Sequence, residues 1–416
     1  HPQRARLRHE LAAAGDINLT SNSKYAPNET GPQMQDLLIK NGRLIDPAQN
    51  LDTPLDVSFA NGQVAAVTAP GKNAQASETI DAQDLLVVPG LIDLHVHVFD
   101  AVSHYGIPPD PTCLERGVTT AVDAGSAGAA VWPGFRKFII EASETRLYAM
   151  LNISRIGLVT GAELDPPVGE LDDLRHLNVS AAVRCIEENR DKILGIKIRL
   201  SDNLAAGGDN EMPALLLARE AADATGLPIM IHSPRSTLGL PAILAEMRSG
   251  DILTHCFHAH ESGILDSNMK VIPEVRAAIE RGVHLDVGHG KGSFSYDVAR
   301  KTMDQEITPD TISTDLHRYN LAGPVFDMTT TISKFLHLGM DLNDALRRVT
   351  SIPAATIKMK DELGTLKVGA TADATILRLC EGKRKLEDTV GKVETIEQWL
   401  EPVYVVKGGR VVAQHN

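Results

Sequence analysis

The sequence has little cysteine, few aromatic residues and no excess of basic charge. Its four cysteines form no C-x-x-C pair, so neither a disulfide framework nor a zinc knuckle is indicated. Lysine and arginine number 41 against 54 aspartates and glutamates, and the formal net charge of -13 argues against nucleic acid and anionic membranes as partners. No apolar run of about 18 residues is present. We therefore expect a reduced, cytoplasmic protein whose partner is a small molecule.

The composition is ordinary for a soluble globular enzyme. Hydrophobic residues make up 43% and charged residues 23% of the 416 positions. A chain of this length can bury one large core and a smaller second one. Residues 1–33 are polar and aperiodic, and we interpret them as a flexible N-terminal extension, with Met34 as a candidate native start.

Short β-type segments occur at both ends of the chain. Asn41-Gly42 and Asn61-Gly62 each lie between apolar runs, which predicts two β-hairpins. Gly408-Gly409 occupies the same kind of position near the C-terminus. We expect 34–89 and 359–416 to build one small β-sandwich domain together.

The segment between them, 90–358, alternates strand-like and helix-like patterns. Helical spacing precedes Val283 and follows Thr314. Such alternation predicts an α/β fold of the (β/α)₈ TIM-barrel type, although a doubly wound parallel sheet shares the pattern. The eight strand candidates are Ile92–Val96, Thr119–Ala124, Leu147–Ile153, Ile193–Leu200, Pro228–His232, Ile252–His255, Val283–Val287 and Thr311–Thr314.

The first barrel strand contains two histidines that are two positions apart. Residues i and i+2 of a β-strand share a face, so His95 and His97 can bind one metal ion together. Taken alone, the pair could equally be two incidental histidines in an alternating strand.

Four further polar residues lie in or at the ends of later strand candidates, namely Lys197, His232, His255 and Asp315. In a (β/α)₈ barrel the C-terminal strand ends form the active site, so all six side chains are expected to meet there. Each has a simpler alternative: a lone histidine can be a hydrogen-bonded core residue, Asp315 a helix N-cap, and Lys197 a snorkelling surface lysine. The convergence of all six favours a metal site.

Several segments together resemble the amidohydrolase superfamily of metal-dependent hydrolases. They are PGLIDLHVH, the lysine of GIKIRLS, the later histidines and aspartate, SIPAATIKM and GTLKVGATADATIL. The runs GIKIRLS and LDVGHGKGSFSYD further resemble a deacetylase-like branch, often labelled dihydroorotase-like. The resemblance covers nearly the whole chain from about Leu37.

This resemblance implies a binuclear metal centre. His95, His97 and Asp315 would bind one divalent ion, and His232 and His255 the second. Lys197 would bridge both ions as an N-carboxylated lysine, for which a desolvated amine is suited. Zinc is the expected metal, with manganese or iron also compatible. A metal-bridging hydroxide would attack an amide or ester carbonyl, and Asp315 would be the catalytic residue that transfers the proton.

The resemblance implies less about the substrate. Dihydroorotases carry a substrate-binding arginine two residues after the second histidine, where this chain has Phe99. We predict deacetylation of a small carboxylate-bearing N-acetyl or O-acetyl compound. The alternatives are a cyclic amidohydrolase of the dihydroorotase or hydantoinase type, a deaminase, and a non-catalytic assembly homologue. A homo-oligomer is compatible with the sequence.

Candidate substrate-binding residues lie in or after later strands. Arg155 follows strand three, Arg199 lies beside Lys197 in strand four, and Arg235 follows strand five. Each could bind a carboxylate, although each could also be a structural or surface charge. His289 lies between two glycines after strand seven, where the backbone can approach a ligand, and we predict that it contacts the substrate.

Overall fold

The computed structural model describes residues 34–72 and 75–415. Within them lie 17 β-strands and ten α-helices. The predicted N-terminal extension, 1–33, lies outside the described residues. Among the helices of the described ranges, none is both long and apolar enough to cross a lipid bilayer.

The strands form three groups along the chain. Before the barrel come β1 (Gln35–Lys40), β2 (Arg43–Asp46), β3 (Leu51–Pro54), β4 (Asp56–Ala60), β5 (Gln63–Thr68), β6 (Ala76–Asp81) and β7 (Leu86–Pro89). The barrel strands are β8 (Leu91–Val96), β9 (Val118–Gly128), β10 (Arg146–Asn152), β11 (Ile193–Arg199), β12 (Ile229–His232), β13 (Ile252–Thr254) and β14 (His284–Leu285). After the barrel come β15 (Ala374–Glu387), β16 (Val393–Lys407) and β17 (Arg410–Gln414).

The helices follow the barrel strands. They are α1 (Pro109–Thr112), α2 (Trp132–Phe135), α3 (Val179–Glu188), α4 (Glu211–Thr225), α5 (Leu240–Glu246), α6 (Pro273–Glu280), α7 (Tyr296–Met303), α8 (Met328–His337), α9 (Leu342–Arg347) and α10 (Ser351–Thr356). The helical spacing seen around Val275 and Leu342 in the sequence corresponds to α6 and α9. Helix α8 begins after Asp327, whose carboxylate accepts the Thr330 N–H at 2.7 Å.

Strands β8 to β14 form one parallel sheet in the order of the chain. The predicted eighth strand is irregular: bridges from Thr311 to Asp286 and from Leu316 to Val96 connect it to both neighbours and close the barrel. One reason for the irregularity is that the Thr314 N–H donates to the Asp93 carboxylate at 3.1 Å and so takes no part in a strand ladder. The predicted (β/α)₈ barrel is therefore confirmed, with an eighth segment that lacks a regular strand.

Apolar side chains fill the barrel end opposite the predicted metal site. Ile92, Val122, Met150 and Met230 belong to one buried cluster in the interior, and Ile357 after α10 packs on them. Close packing of this layer fixes the strand positions, so the polar side chains at the opposite strand ends are held on a rigid support.

Both chain ends build the outer sheets, as predicted. One sheet has the order β5-β4-β1-β6, and the other has the order β17-β16-β15-β7-β2-β3. A buried cluster that includes Leu37, Phe59 and Ile376 lies between them. The domain boundaries at 89/90 and 358/359 stay predictions.

Two of the three predicted hairpin turns are confirmed. Asn61-Gly62 joins the antiparallel strands β4 and β5, and Gly408-Gly409 joins β16 and β17, with positive φ at all four residues. The hairpin predicted at Asn41-Gly42 is wrong, because β1 and β2 lie in different sheets. A Cβ on Gly42 would lie 2.5 Å from Val87 Cγ2, so close packing between the sheets requires this glycine.

Strands β15 and β16 form a long antiparallel hairpin whose tip contacts the loop after β14. The Thr389 N–H donates to the Phe294 carbonyl at 3.0 Å, and the Phe294 N–H donates to Thr389 Oγ1 at 3.0 Å. Asp388 accepts the Tyr296 N–H at 3.1 Å. The C-terminal hairpin therefore holds a loop of the barrel.

Candidate metal centre

Five of the six predicted metal ligands line one cavity of about 510 Å³ at the C-terminal strand ends, namely His95, His97, His232, His255 and Asp315. Asp315 Oδ1 lies 3.1 Å from His97 Nε2 and 3.4 Å from His95 Nε2. The rings of His232 and His255 have centroids 4.5 Å apart, and the His95 ring lies 5.0 Å from His255. The structure thus brings the two predicted ligand groups side by side.

The sixth residue, Lys197, is buried in β11 with 1% of its surface exposed. Its Nζ lies 3.4 Å from His95 Nε2. Burial lowers the pKa of this lysine to about 7, although Asp315 opposes the shift. Gly125, at φ +91°, leaves room for the lysine stem, because a Cβ there would lie 2.6 Å from Lys197 Cγ.

The imidazoles are oriented by hydrogen bonds at Nδ1. His95 Nδ1 lies 2.9 Å from Thr254 Oγ1, His97 Nδ1 lies 2.9 Å from Ser126 Oγ, and His255 Nδ1 donates to the Gly288 carbonyl at 2.6 Å. Each ring then has Nε2 available for a metal ion, which is the usual arrangement of metal-binding histidines. Burial also lowers the pKa of these three imidazoles, which keeps them in the neutral form that a cation requires.

Three buried aspartates support the ligands from behind. Asp286 accepts the hydroxyl proton of Thr254, the residue that contacts His95 Nδ1, at 2.7 Å. Asp123 accepts the backbone N–H of Ser126 at 2.7 Å, and Asp93 accepts the backbone N–H of His95 at 3.1 Å. None of these three aspartates was predicted from the sequence. Burial raises the pKa of Asp93 to about 7 and that of Asp123 to about 6.

Two of the predicted ligands have left-handed backbone conformations. His255 has φ +65° and Asp315 has φ +49°, a region that non-glycine residues rarely adopt and that is frequent at functional sites. Glycines on the loop after β14 make room for both. A Cβ on Gly288 would lie 2.8 Å from His255 Nδ1, and one on Gly290 would lie 2.5 Å from Asp315 Oδ2.

The predicted substrate-binding residues are distributed over different places. Arg199 and Arg235 line the cavity. Arg155 lies in another groove, beside Trp132. His289 is fully buried and its ring stacks on Phe294, with centroids 4.5 Å apart. Substrate contact by these residues stays a prediction, and for Arg155 and His289 the geometry offers it no support.

His289 contacts a second buried lysine. Lys334 Nζ, from α8, lies 2.8 Å from His289 Nε2 and donates to the carbonyls of Pro324 at 2.9 Å and Glu387 at 2.7 Å. His289 Nδ1 donates to the Gly290 carbonyl at 3.0 Å. This cluster therefore ties the loop after β14 to α8 and to the C-terminal hairpin.

The cavity also contains residues that the sequence analysis did not select, namely Tyr105, Glu163, Lys291, His317 and Tyr319. Tyr105 donates its hydroxyl to Glu163 at 2.6 Å. Lys291 lies on the same glycine-rich loop as His289, two residues further along, so the glycine pattern was a usable signal for that segment. No comparable pattern in the sequence marked the tyrosines.

The amidohydrolase family model matches residues 86–412, which is well over half of the chain. The chain belongs to the amidohydrolase family. It is similar to a deacetylase of Brucella anthropi, 33% identical over 92% of this chain and 94% of that protein. A deacetylase of Enterococcus faecalis is also 33% identical, over 90% of this chain and 98% of its own.

Two solved structures have the same architecture. An adenine deaminase superposes with a TM-score of 0.83 and a dihydroorotase with a TM-score of 0.82. Each is 32% identical and covers 91% of this chain and 99% of its own. The family resemblance predicted from the sequence is confirmed, and the protein is a metal-dependent hydrolase of small molecules.

Proposed function

We propose that this amidohydrolase removes the acetyl group from a small carboxylate-bearing N-acetyl or O-acetyl compound. The observation that carries the proposal is the cavity in which His95 Nε2, His97 Nε2 and Asp315 Oδ1 lie within 4.8 Å of one another, next to His232 and His255. The deacetylase names of the similar proteins favour an acetylated substrate.

The side chains fit two divalent ions. His95, His97 and Asp315 would hold one ion, His232 and His255 the other, and Lys197 would bridge them once carboxylated. Neutral imidazoles and carboxylate-type oxygens are a donor set that zinc accepts. When bound, two such ions supply an activated water and polarise the carbonyl of an amide or ester.

Asp315 has the role of proton carrier in this proposal. Its side chain is 13% exposed and faces the cavity, and it contacts both first-strand histidines. There it can accept a proton from the attacking water and deliver it to the leaving nitrogen or oxygen. Gly290 and the left-handed backbone of residue 315 fix the carboxylate in this position.

Opening of a cyclic amide is the second candidate, and the similarity to a dihydroorotase structure favours it. Against it stands Phe99, which is 3% exposed and packs on Phe135 with ring centroids 4.9 Å apart. The position at which dihydroorotases carry their substrate-binding arginine is thus part of the apolar core in this chain.

The test is a comparison of initial rates on five substrate classes with zinc-loaded enzyme. N-acetyl amino acids and O-acetyl hydroxy acids should be hydrolysed fastest, with dihydroorotate, hydantoins and adenine at background. Higher kcat/KM on one of the last three classes would overturn the acetyl assignment.

The Asp315→Asn variant is the control for these rate measurements. Because the amide cannot carry the proton, turnover should fall by roughly a thousandfold or more while much of the metal is retained. Metal analysis of the same preparation distinguishes lost chemistry from lost metal. An active Asp315→Asn enzyme would contradict the proposed role.

A further inference from the structure

Three cationic side chains line the cavity, and two of them are already neutralised by carboxylates. Arg199 is buried and forms a bidentate pair with Glu170, at 2.6 and 2.9 Å. Arg235 forms an ion pair with Asp202 at 2.8 Å. Each of these carboxylates compensates the positive charge of its arginine. The two predicted anion binders that line the cavity therefore already have a carboxylate partner within the protein.

Lys291 is the third cation, and its charge has no such partner. Among the described residues, no carboxylate oxygen lies within ion-pair distance of its Nζ, and no side chain forms a hydrogen bond with it. The contact found for this nitrogen is with the Tyr319 ring, whose centre lies 5.8 Å away. The ammonium thus keeps its hydrogen-bond donors for a ligand in the cavity.

The backbone holds Lys291 next to the predicted catalytic aspartate. Its neighbour Gly290 packs against Asp315 and donates its N–H to the Thr314 carbonyl at 2.9 Å. His289, one residue earlier, donates its N–H to Ser313 at 3.1 Å. A short loop fixed at these points places Lys291 in the wall of the cavity that also contains Asp315.

His317 adds a neutral donor to the same wall. The Tyr319 N–H donates to His317 Nδ1 at 3.2 Å, so the ring proton is assigned to Nε2. This nitrogen belongs to a side chain that lines the cavity, and the His317 ring lies 5.9 Å from the Tyr319 ring that also contacts Lys291. His317 therefore adds an uncharged N–H donor to the lining of the cavity that also contains Lys291.

We propose that Lys291 binds the carboxylate of the substrate and thereby selects acetylated acids over their uncharged analogues. The inference rests on the proposed function, because it concerns the non-reacting end of the same substrate. It replaces the three arginines predicted from the sequence by a lysine on the loop after β14.

The experiment compares an N-acetyl amino acid with its carboxamide, and uses the ratio of the two kcat/KM values as the readout. Lys291→Met should lower that ratio by about 10- to 100-fold, chiefly through KM on the acid, because one charge-assisted hydrogen bond is lost. Lys291→Arg should restore most of the ratio. The exposed helical lysine variant Lys301→Met, on α7, is the control for removal of a positive charge.

The outcomes separate this inference from the proposed function. If wild-type enzyme hydrolyses neither acetylated acid nor amide, the proposed function fails. If it hydrolyses the acid and Lys291→Met leaves the ratio at the wild-type value, the carboxylate assignment alone is overturned. Thermal melting of each variant checks the fold, and because Lys291 is exposed we expect a melting temperature close to wild type.

Discussion

Lys197 and Lys334 are both buried, with 1% and 0% of their surfaces exposed, yet their nitrogens have different surroundings. Burial lowers the pKa of each to about 7. Lys334 Nζ has three hydrogen-bond partners at 2.7 to 2.9 Å, whereas Lys197 Nζ has one, a histidine nitrogen at 3.4 Å. Lys334 Nζ is thus surrounded by hydrogen-bond partners, whereas Lys197 Nζ lies beside side chains that can bind a metal ion.

A lowered pKa alone does not make a lysine reactive. Desolvation supplies a free amine at neutral pH in both places. An amine can take up carbon dioxide only if the new carboxylate has room and cationic partners, and two ions bound by the neighbouring histidines and Asp315 would be such partners for Lys197. Lys334 instead joins α8, the loop after β14 and the C-terminal hairpin, so its role is structural.

The largest effect should come from removing the first of these lysines. Lys197→Ala should lower kcat/KM by about a thousandfold or more, together with the metal content, because the proposed bridging ligand would be lost. Added short carboxylic acids should restore part of the activity by filling the space. Lys334→Met is the comparison variant, and its metal content should equal that of wild type. A fully loaded and active Lys197→Ala enzyme would refute the bridging role.

Gly290 connects the two lysine sites, because its carbonyl accepts a hydrogen bond from His289 and it packs against Asp315. A substitution at Gly290 tests this connection. In Gly290→Ala the new methyl group would meet Asp315 Oδ2 at 2.5 Å, and we expect kcat to fall by about a hundredfold. Gly226→Ala is the matched control, because Gly226 also has a positive φ, +67°, but has nothing within 4 Å of a new Cβ. If kcat falls equally in both variants, the loss is due to backbone strain and not to contact with Asp315.

Removing the second lysine should mainly affect stability. Lys334→Met leaves the carbonyls of Pro324 and Glu387 without their donor, so we expect the free energy of unfolding to fall by about 2–4 kcal/mol. Denaturant unfolding at fixed metal concentration measures this. The exposed variant Lys301→Met should stay within about 0.5 kcal/mol of wild type, and a similar value for Lys334→Met would remove the distinction between the lysines.

The smallest effect concerns pH. Carboxylation of Lys197 needs the uncharged amine. When metal-stripped enzyme is given zinc and bicarbonate, the rate at which activity recovers should therefore rise as the pH passes about 7. With that pKa the amine fraction grows from about one eleventh at pH 6 to about ten elevenths at pH 8, a rise of about tenfold. Initial recovery rates at constant dissolved carbon dioxide test this. Lys334→Met should give the same profile, and a flat wild-type profile would contradict the idea.

Much of the architecture could be predicted from the sequence, and so could the position of five candidate ligands in one cavity, whereas their binding of metal stays a prediction. Strand periodicity placed His95 and His97 on one face, and the barrel rule placed His232, His255 and Asp315 at the same end. These predictions succeeded because they depend on local pattern and on one topological rule. The eighth strand was less regular than predicted, since side-chain carboxylates bind part of its backbone.

The remaining features depend on contacts between distant segments. Lys334 receives partners from residues 289, 324 and 387, which no local pattern connects. The glycines around His289 were a real signal, but they give room to Asp315 and His255 rather than bringing His289 to a ligand. Whether an arginine in the cavity is free or paired likewise depends on a distant carboxylate, as Glu170 demonstrates for Arg199.

The contact between the C-terminal hairpin and the loop after β14 also bears on how the enzyme matures during synthesis. A ribosome makes the barrel strands first, and residues 387–389, which hold Lys334 and the Phe294 segment, come almost 300 positions after His95. Such long-range contacts form late in folding. A nascent chain can therefore assemble most of its barrel before the loop beside Asp315 is fixed. Full enzymatic activity would come only when the C-terminal hairpin has packed against that loop.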